Sequence, residues 1–317
     1  KDVALSMLPQ LLTAAKAEKG VKEDILILTA TSGDTGKAAL EGFHDVPGIR
    51  ICVFYPHGGV SQVQRAQMVT QEGSNVTVCA VEGNFDDAQT GVKQIFTALR
   101  GKELPFELSS ANSINIGRLA PQIMYYFKAY RDLLDAGKIQ LGDEVNFCVP
   151  TGNFGDILAG YLAKQLGLPV GKLICASNAN NVLTDFLRTG TYDRRRPLHK
   201  TASPSMDILI SSNLERLLCV TAGESRTAGY MADLNKNGVY TVESDVREKI
   251  AENFSGYFAN EEETAATIRT YFNDHHYLAD THTAVALTCA ERYLATLEPE
   301  EICPIVVDST ASPYKFA

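Results

Sequence analysis

The feature that constrains the fold most is a regular alternation between short apolar runs and longer amphipathic stretches. The apolar runs cover residues 24–30, 49–56, 75–83, 144–150, 171–177 and 302–308. All but the last are followed by amphipathic stretches, at residues 34–43, 60–71, 86–99, 154–165 and 181–187. Apolar strands that alternate with helices are typical of a parallel sheet covered by helices on both faces. The sequence therefore predicts an α/β fold.

A long helical stretch at residues 114–135 separates the first three strand–helix units from the later ones. Within it, Pro121 is expected to kink the helix or to start a new segment. We predict two α/β domains, each with an open, twisted, mainly parallel sheet. The smaller covers residues 1–118 and the larger residues 119–317. Ligands of open α/β sheets bind beyond the carboxyl ends of the strands, so functional residues are expected in the loops that follow them.

Composition disfavours several classes of function. The 29 basic and 38 acidic residues give a net charge of −9, which disfavours nucleic acid or an anionic membrane as a partner. No apolar run reaches the ~18 residues that a membrane span requires. The seven cysteines include no CxxC pair, and the six histidines show no metal-binding spacing. We therefore expect free thiols, a cytoplasmic location and no metal site.

The first candidate loop, TSGDTGKAAL at residues 31–40, follows the first predicted strand. Its hydroxyl groups, its two glycines and the helix that starts there could bind an anion through backbone N–H groups. A plain turn, with Ser32 or Asp34 capping the helix, is the alternative. The loop lacks the glycine spacing of a nucleotide-binding P-loop.

The second candidate loop, TGNFGD at residues 151–156, follows the strand predicted at residues 144–150. Gly152 and Gly155 allow a ligand to approach the backbone closely, and a helix begins there. The carboxylate of Asp156 would repel a phosphate, so it is expected to cap the helix or to point away. The dinucleotide fingerprint GxGxxG is absent, which favours a single phosphate over a pyrophosphate.

Two further polar segments are candidates. DSTASPYKF at residues 308–316 follows the last predicted strand, and its alternative interpretation is a polar turn. SSANSINIGRLAPQ at residues 109–122 supplies amide, hydroxyl and guanidinium donors, and its alternative is a helix capped by Ser113 beside a surface Arg118. His282 belongs either to a helix cap or to a site.

These loops favour a phosphorylated organic cofactor, because no GxSxG motif, metal spacing or dinucleotide fingerprint accompanies them. Pyridoxal phosphate has a single phosphate and needs a lysine for its aldehyde. The loops alone do not identify that lysine.

Seven segments, in order and spread over the whole chain, together resemble the threonine synthase family of fold-type II (tryptophan-synthase-like) pyridoxal-phosphate enzymes. They are KDVALSMLPQLL, LTATSGDTGKAAL, SSANSINIGRLAPQIMYYF, VPTGNFGDILAGYLAKQLGLPV, SPSMDILISSNLERLL, HTAVAL and STASPYKF. The NSINxxR pattern and SPSMDILISSNLERLL are much more particular to bacterial and fungal threonine synthases than the other segments are.

The resemblance implies a role for each loop. The family's Schiff-base lysine, in an F-K-D motif, matches Lys1, so we expect the numbered chain to begin partway into a longer protein. The implied cofactor residues are Gly152, Asn153, Phe154 and Gly155 around the phosphate, Thr310 at the pyridine nitrogen and Asn112 near the ring hydroxyl. The implied substrate residues are Ser32, Gly33, Asp34, Thr35, Gly36, Ser113, Asn115 and Arg118, with His282 and Lys315 as weaker candidates.

The implied reaction converts O-phospho-L-homoserine and water into L-threonine and phosphate, the last step of threonine biosynthesis. The expected partner is this small molecule alone, and we expect a monomer. A serine/threonine dehydratase or a cysteine synthase shares the fold and the cofactor. Asp34, where such relatives commonly have asparagine, and the NSINxxR pattern argue against it. A relative that serves as a binding or regulatory protein without the synthase reaction is the second alternative.

Overall fold

The computed structural model describes residues 1–316, without the side chain of Asp86. The chain divides into two compact units, Lys1–Pro121 and Gln122–Ala317. Each unit is built on a four-stranded sheet in which all neighbouring strands are parallel. This confirms the predicted fold class.

In the first unit the strand order is β3-β2-β1-β4. The strands are β1 (Asp24–Ala30), β2 (Ile49–Pro56), β3 (Val76–Val81) and β4 (Phe106–Ser109). The helices are α1 (Asp2–Lys19), α2 (Asp34–Phe43), α3 (Gln62–Val69), α4 (Phe85–Leu99) and α5 (Ile116–Leu119).

Close packing of α1 on α2 fixes the start of the chain beside the first candidate loop. A Cβ at Gly42 of α2 would lie 2.3 Å from the carbonyl oxygen of Leu5 in α1, so only glycine allows this approach. Leu5 and Leu8 are fully buried against the sheet core that includes Ile27 and Ile51. Lys1, at the N-terminal end of α1, is therefore brought to the N-terminal end of α2.

In the second unit the sheet order is β10-β5-β6-β9, and a separate antiparallel pair joins β7 to β8. The strands are β5 (Val145–Pro150), β6 (Val170–Ser177), β7 (Thr191–Asp193), β8 (Val239–Thr241), β9 (Phe254–Phe258) and β10 (Ile305–Val307). The helices are α6 (Ile123–Asp135), α7 (Gly155–Gln165), α8 (Val182–Thr189), α9 (Leu214–Ala222), α10 (Glu224–Asn237), α11 (Ser244–Asn253), α12 (Glu261–His275) and α13 (Thr281–Leu294). Every residue of β5 is buried, as expected for a central parallel strand.

The structure differs from the predicted elements. Strands β4, β7, β8 and β9 were not predicted, because the runs FELS, TYD, VYT and FSGYF are short and include polar residues or glycine. The helical stretch at residues 114–135 is not continuous: α5 ends at Leu119, a 3₁₀ turn covers Ala120–Gln122, and α6 follows. Pro121 has no N–H group and its ring blocks a regular helical turn, which accounts for the break. Among residues 1–316, none of the helices combines the length and the apolar character that crossing a lipid bilayer would need.

Candidate active site

In the first unit, the order of the strands reverses between β1 and β4, since β2 and β3 extend the sheet on one side and β4 lies on the other. The loops after β1 and β4 therefore leave the same edge at a topological switch point. Asn112 joins them: its side chain accepts from Ala30 N–H at 3.0 Å and donates to Ala30 O at 2.7 Å. An amide group has two N–H donors, so the second N–H of Asn112 is available to a ligand.

The loop after β1 is capped by Thr31. Its hydroxyl oxygen accepts the N–H groups of Gly33 at 2.9 Å and Gly36 at 2.8 Å. The N-cap position of α2 is Gly33, with φ of 130°, and neither Ser32 nor Asp34 caps the helix as the plain-turn interpretation expected. A Cβ at Gly33 would lie 2.4 Å from the side chain of Gln64, so this residue has both a backbone and a steric reason to be glycine.

Lys1 and Asp34 form an ion pair in the first unit. The Nζ of Lys1 lies 3.6 Å from Oδ2 of Asp34, whose side chain is 4% exposed. The other oxygen of Asp34 accepts from Nε2 of the buried Gln64 at 3.0 Å. The carboxylate is thus held between an amide and an amine, which fixes where the lysine amine lies.

The segment after β4 corrects the capping interpretation made from its sequence. The N-cap of α5 is Asn115 rather than Ser113: its side chain accepts from Gly117 N–H at 2.9 Å and donates to Ser110 O at 2.8 Å. Arg118 is not a surface residue, being only 7% exposed. Its guanidinium donates to Ala111 O at 3.0 Å and to the hydroxyl of Thr35 at 3.3 Å.

Arg118 therefore places a buried positive charge beside Thr35 of the first loop. Within this unit the structure brings together Lys1, the loop at residues 32–36, Asn112 and Arg118. The half-buried Ser113 lies in the same segment.

The second unit repeats the arrangement, because its strand order reverses between β5 and β10. Val307 of β10 pairs with Cys148 of β5, and Asp308 N–H donates to Cys148 O at 2.9 Å. Thr310 is half-buried. It lies three residues after Val307, just as Thr151 lies three residues after Cys148. The parallel register thus puts Thr310 at the same sheet edge as the TGNFGD loop.

The loop at residues 151–155 turns sharply into α7. Phe154 is its N-cap residue in the left-handed conformation, with φ of 61°, and its side chain makes no capping hydrogen bond. The ring of Phe154 is 1% exposed and lies 5.5 Å from the ring of Phe254, which stabilises this uncommon backbone conformation. Among residues 1–316, the N–H groups of Asn153 and Phe154 have no protein acceptor.

A segment at residues 203–213 packs against this loop. A Cβ at Gly152 would lie 2.5 Å from the carbonyl oxygen of Ser205. The sequence identified SPSMDILISSNLERLL only as a family pattern and did not predict that it supports the loop at residues 152–155. The signal available in the sequence was its density of small hydroxyl and amide side chains just before a helix.

His282, a weaker site candidate, supports the same segment. Its Nε2 accepts from Ser205 N–H at 3.2 Å, so in the neutral ring the proton lies on Nδ1, which is 3.3 Å from Oδ1 of Asp280. Both side chains are almost fully buried. Burial acts to raise the pKa of the Asp280 carboxyl, but hydrogen bonds from His282 and Thr283 outweigh it, so that pKa lies below its usual value.

Two carboxyl groups lie near the start of α7. Asp156 does not cap the helix; Tyr126 OH donates to its backbone oxygen at 2.9 Å and lies 3.4 Å from its Oδ1. Burial, and then the negative charge of Asp156, raise the pKa of Asp308 well above its usual value, while a hydrogen bond from Tyr126 partly offsets this.

Each unit by itself offers groups that suit one part of a phosphorylated aldehyde cofactor. In the second unit, N–H donors that have no acceptor among residues 1–316 lie at the N-terminal end of α7, where a phosphate would also meet the positive end of the helix dipole. In the first unit, the amine of Lys1 lies 3.6 Å from a carboxylate oxygen of the buried Asp34.

Comparison with known proteins agrees with this chemistry. A model of the pyridoxal-phosphate dependent enzyme family matches residues 3–308. The chain belongs to this family. Its cofactor is therefore pyridoxal phosphate.

Within the pyridoxal-phosphate dependent enzyme family, the chain is 42% identical over its whole length to human threonine synthase-like 1, of which it covers 43%. It is 41% identical to threonine synthase of Pseudomonas aeruginosa, of which it covers 65%. The crystal structure of PLP-bound threonine synthase from Brucella melitensis superposes with a TM-score of 0.88 at 41% identity, over 99% of this chain and 65% of that chain. The chain thus spans about half to two thirds of the length of these relatives.

Proposed function

We propose that this protein is a threonine synthase, a lyase that converts O-phospho-L-homoserine and water into L-threonine and phosphate. The observation that carries the proposal is the likeness of the whole chain to threonine synthases in both sequence and structure. The ion pair of Lys1 with Asp34 and the unpaired N–H donors of Asn153 and Phe154 support it.

In this proposal Lys1 holds the cofactor aldehyde, and the loop formed by Gly152, Asn153, Phe154 and Gly155 holds the phosphate. Thr310 donates to the pyridine nitrogen, and Asn112 donates its second N–H near the ring hydroxyl. A neutral hydroxyl at the nitrogen leaves the ring without a fixed positive charge. Bound pyridoxal phosphate supplies a conjugated ring that takes up negative charge when a proton leaves the substrate.

Lys1 is also the proton carrier at the substrate Cα. With its Nζ in the neutral amine form, Lys1 would remove that proton, and Asp34, whose Oδ2 lies 3.6 Å from the Nζ, would keep the Nζ near this position. Gln64 keeps the carboxylate of Asp34 from rotating, because it holds the second oxygen.

The substrate anion is bound by the loop at residues 32–36 together with Arg118, which already contacts Thr35. A guanidinium forks onto phosphate oxygens, and burial strengthens the attraction. Asn115 and Ser113 are weaker contributors, since the amide of Asn115 caps α5 and donates to Ser110. Location in the cytoplasm and the monomeric state stay predictions.

The deciding experiment supplies the full-length protein with pyridoxal phosphate and O-phospho-L-homoserine, and measures released phosphate and L-threonine. Equal amounts of both products are expected. L-Serine and L-threonine, tested separately, discriminate a dehydratase, which would release ammonia and a keto acid from them. No turnover of any of the three, with cofactor bound, would overturn the proposal.

The role of Lys1 is tested by borohydride reduction and mass spectrometry. Reduction should leave the pyridoxyl group on Lys1, and Lys1→Ala should lose both this label and the exchange of the substrate Cα proton with deuterated solvent. Lys37→Ala is the matched control. Lys37 lies in the first turn of α2, and its Nζ is 3.9 Å from Oδ1 of Asp2. Exchange that persists in Lys1→Ala would show that another group moves the proton.

A further inference from the structure

Two residues of the segment at residues 203–213 bind the carbonyl groups of the phosphate loop. The hydroxyl of Ser211 donates to Gly152 O at 2.7 Å. Asn213 donates twice to Asn153 O, from its backbone N–H at 3.1 Å and from its side-chain Nδ2 at 2.9 Å. Ser211 is 6% exposed and Asn213 is fully buried, so water does not compete for these carbonyl oxygens.

These hydrogen bonds set the direction of two N–H groups. In a trans peptide the C=O and the N–H lie in one plane and point in opposite directions. The peptide that carries Gly152 O also carries the N–H of Asn153, and the peptide that carries Asn153 O also carries the N–H of Phe154. Holding both oxygens toward Ser211 and Asn213 therefore turns both N–H groups away from that segment.

Asn213 makes this contact at the expense of its own helix. It occupies the N-cap position of α9, where an asparagine side chain ordinarily accepts from the helix, yet it makes no such bond. Its Nδ2 binds Asn153 O, and its Oδ1 accepts from Nε of Arg216 at 3.1 Å. The side chain is thus committed to the loop, although capping would contribute about 1 kcal/mol to helix stability.

The segment that carries these donors is itself anchored. Tyr192 OH accepts from Ser211 N–H at 2.9 Å and donates to Leu209 O at 3.0 Å. The Tyr192 ring is 1% exposed and stacks on the ring of Tyr240 at 5.4 Å. A rigid support of this kind holds donors in place before a ligand binds, which lowers the entropy cost of binding.

We propose that Ser211 and Asn213 are positioning residues for cofactor binding: they aim the N–H groups of Asn153 and Phe154 at the phosphate of pyridoxal phosphate. The inference rests on the proposed function, which assigns that phosphate to the loop at residues 152–155. Ser211 and Asn213 act through the loop and do not themselves touch the phosphate.

The test compares pyridoxal phosphate with pyridoxal, which has the same aldehyde but lacks the phosphate. The full-length protein is depleted of cofactor, and the dissociation constant of each aldehyde is measured from the absorbance of its bound form, with borohydride trapping as confirmation. The unchanged protein should bind pyridoxal phosphate more tightly. Ser211→Ala and Asn213→Ala should each weaken the binding of pyridoxal phosphate by about tenfold, the usual cost of losing one well-placed hydrogen bond. The binding of pyridoxal should not change.

Ser203→Ala is the matched control. Ser203 lies in the same segment and is 1% exposed, but its hydroxyl bonds to Asn178 at 3.0 Å and Thr201 at 3.2 Å rather than to the loop. It should not change the preference for the phosphorylated aldehyde. Ser211→Thr, which keeps the hydroxyl, should restore most of the preference that Ser211→Ala loses.

The outcomes separate the two proposals. If the unchanged protein shows no preference for pyridoxal phosphate, the loop does not bind the phosphate and the proposed assignment fails. A second result is that the unchanged protein prefers pyridoxal phosphate, while both variants keep that preference or bind both aldehydes equally more weakly. That result overturns the positioning role, and the assignment of the phosphate to the loop stands. Should Asn213→Ala fail to fold, Ser211→Ala, which deletes one hydroxyl, carries the comparison with Ser211→Thr.

Discussion

The loops at the two switch points are stabilised in different ways. In the first unit, the loop after β1 is capped by Thr31, whose hydroxyl binds N–H groups two and five residues further along the chain. In the second unit, the N-cap residue of α7 makes no side-chain capping bond. Its loop packs closely against the backbone of Ser205 at Gly152 and accepts hydrogen bonds from Ser211 and Asn213, 59 and 60 residues further along the chain.

This difference indicates which loop can change its conformation while the rest of its unit stays folded. The first loop is capped by its own Thr31. Substitutions around it should therefore lower the free energy of unfolding more than they change the conformation of the loop. The second loop keeps its N–H groups open only while the segment at residues 203–213 stays docked. A small shift in that segment is therefore expected to change cofactor binding before it unfolds the unit.

The largest effect is expected from Gly152→Ala. The new Cβ would lie 2.5 Å from the backbone oxygen of Ser205, so either the loop or the segment must move. A misplacement of ~1 Å can cost about 100-fold in the rate of a catalysed step. We expect the affinity for pyridoxal phosphate to fall to a similar extent, because the phosphate donors are displaced. Equilibrium dialysis measures it. Gly229→Ala in α10, whose Cβ would meet nothing within 4 Å, is the control and should leave affinity unchanged.

Gly36→Ala extends the comparison to the first unit. Its Cβ would meet only side chains, Met68 Sδ at 2.6 Å, Thr31 Cγ2 at 2.7 Å and Val53 Cγ1 at 2.9 Å. Overpacking should lower the free energy of unfolding by about 1–3 kcal/mol, with cofactor affinity changed less than in Gly152→Ala. An equal loss of affinity in both variants would show that the two loops do not differ as argued.

His282→Ala tests how the segment at residues 203–213 is anchored by its hydrogen bond to His282. It removes the side-chain acceptor of Ser205 N–H and one of several hydrogen-bond partners of Asp280, and His282 is only 2% exposed. Asp280 keeps its hydrogen bonds from Thr283. We therefore expect the free energy of unfolding to fall by about 1–3 kcal/mol, together with weaker cofactor binding. Urea denaturation measures the first quantity. His275→Ala, exposed at the end of α12, should stay within about 0.5 kcal/mol.

The contrast between the loops also explains how far the sequence can be interpreted without a structure. The apolar run of β5 is predictable because burial on both faces makes it continuous, and the runs of β1 and β2 are nearly continuous although β2 exposes Arg50. The glycines at 33 and 152 are predictable as close approaches, but what approaches them is not. Gln64 and Ser205 reach these positions through tertiary packing that no spacing in the chain encodes.

Asn213 is the sharpest example of this limit. Asn213 occupies the N-cap position of α9, directly before an apolar helical pattern. Its side chain nevertheless binds a carbonyl in a distant loop, because the two segments meet only in the folded unit. The same holds for Arg118, which one of the two interpretations of the sequence places on the surface and which the fold buries beside Thr35.

A smaller effect is expected in the first unit from Gln64→Ala. Gln64 is 1% exposed, donates to Asp34 at 3.0 Å and accepts from Ser61 N–H at 3.1 Å. Its loss should lower the free energy of unfolding by about 1–2 kcal/mol. Because Asp34 then loses the hydrogen bond from Gln64, the rate at which Lys1 combines with pyridoxal phosphate, followed by absorbance, should also change. Gln62→Ala, exposed on the same helix, should change neither quantity.

The smallest effect is expected from Asp308→Asn, and its sign follows from the raised pKa. Burial and the charge of Asp156 raise the pKa of Asp308 in the folded state above the value of 3.8 for an unperturbed aspartate. Between these two values the folded state binds more protons than the unfolded state, so stability falls as the pH rises. Asparagine does not titrate, so the variant does not lose stability in this way as the pH rises. The variant should melt a few degrees higher than the unchanged protein near pH 8 and equally near pH 4.

Asp280→Asn should show the opposite slope, which makes it the control for Asp308→Asn. Hydrogen bonds from His282 and Thr283 lower the pKa of Asp280, so its contribution to stability is present above the unfolded value and is lost as the pH falls through the folded value. The variant should melt lower than the unchanged protein near pH 8, and the difference should shrink on acidification. Parallel pH profiles for the two variants would mean that the carboxyl groups of this unit are not held in opposite charge states.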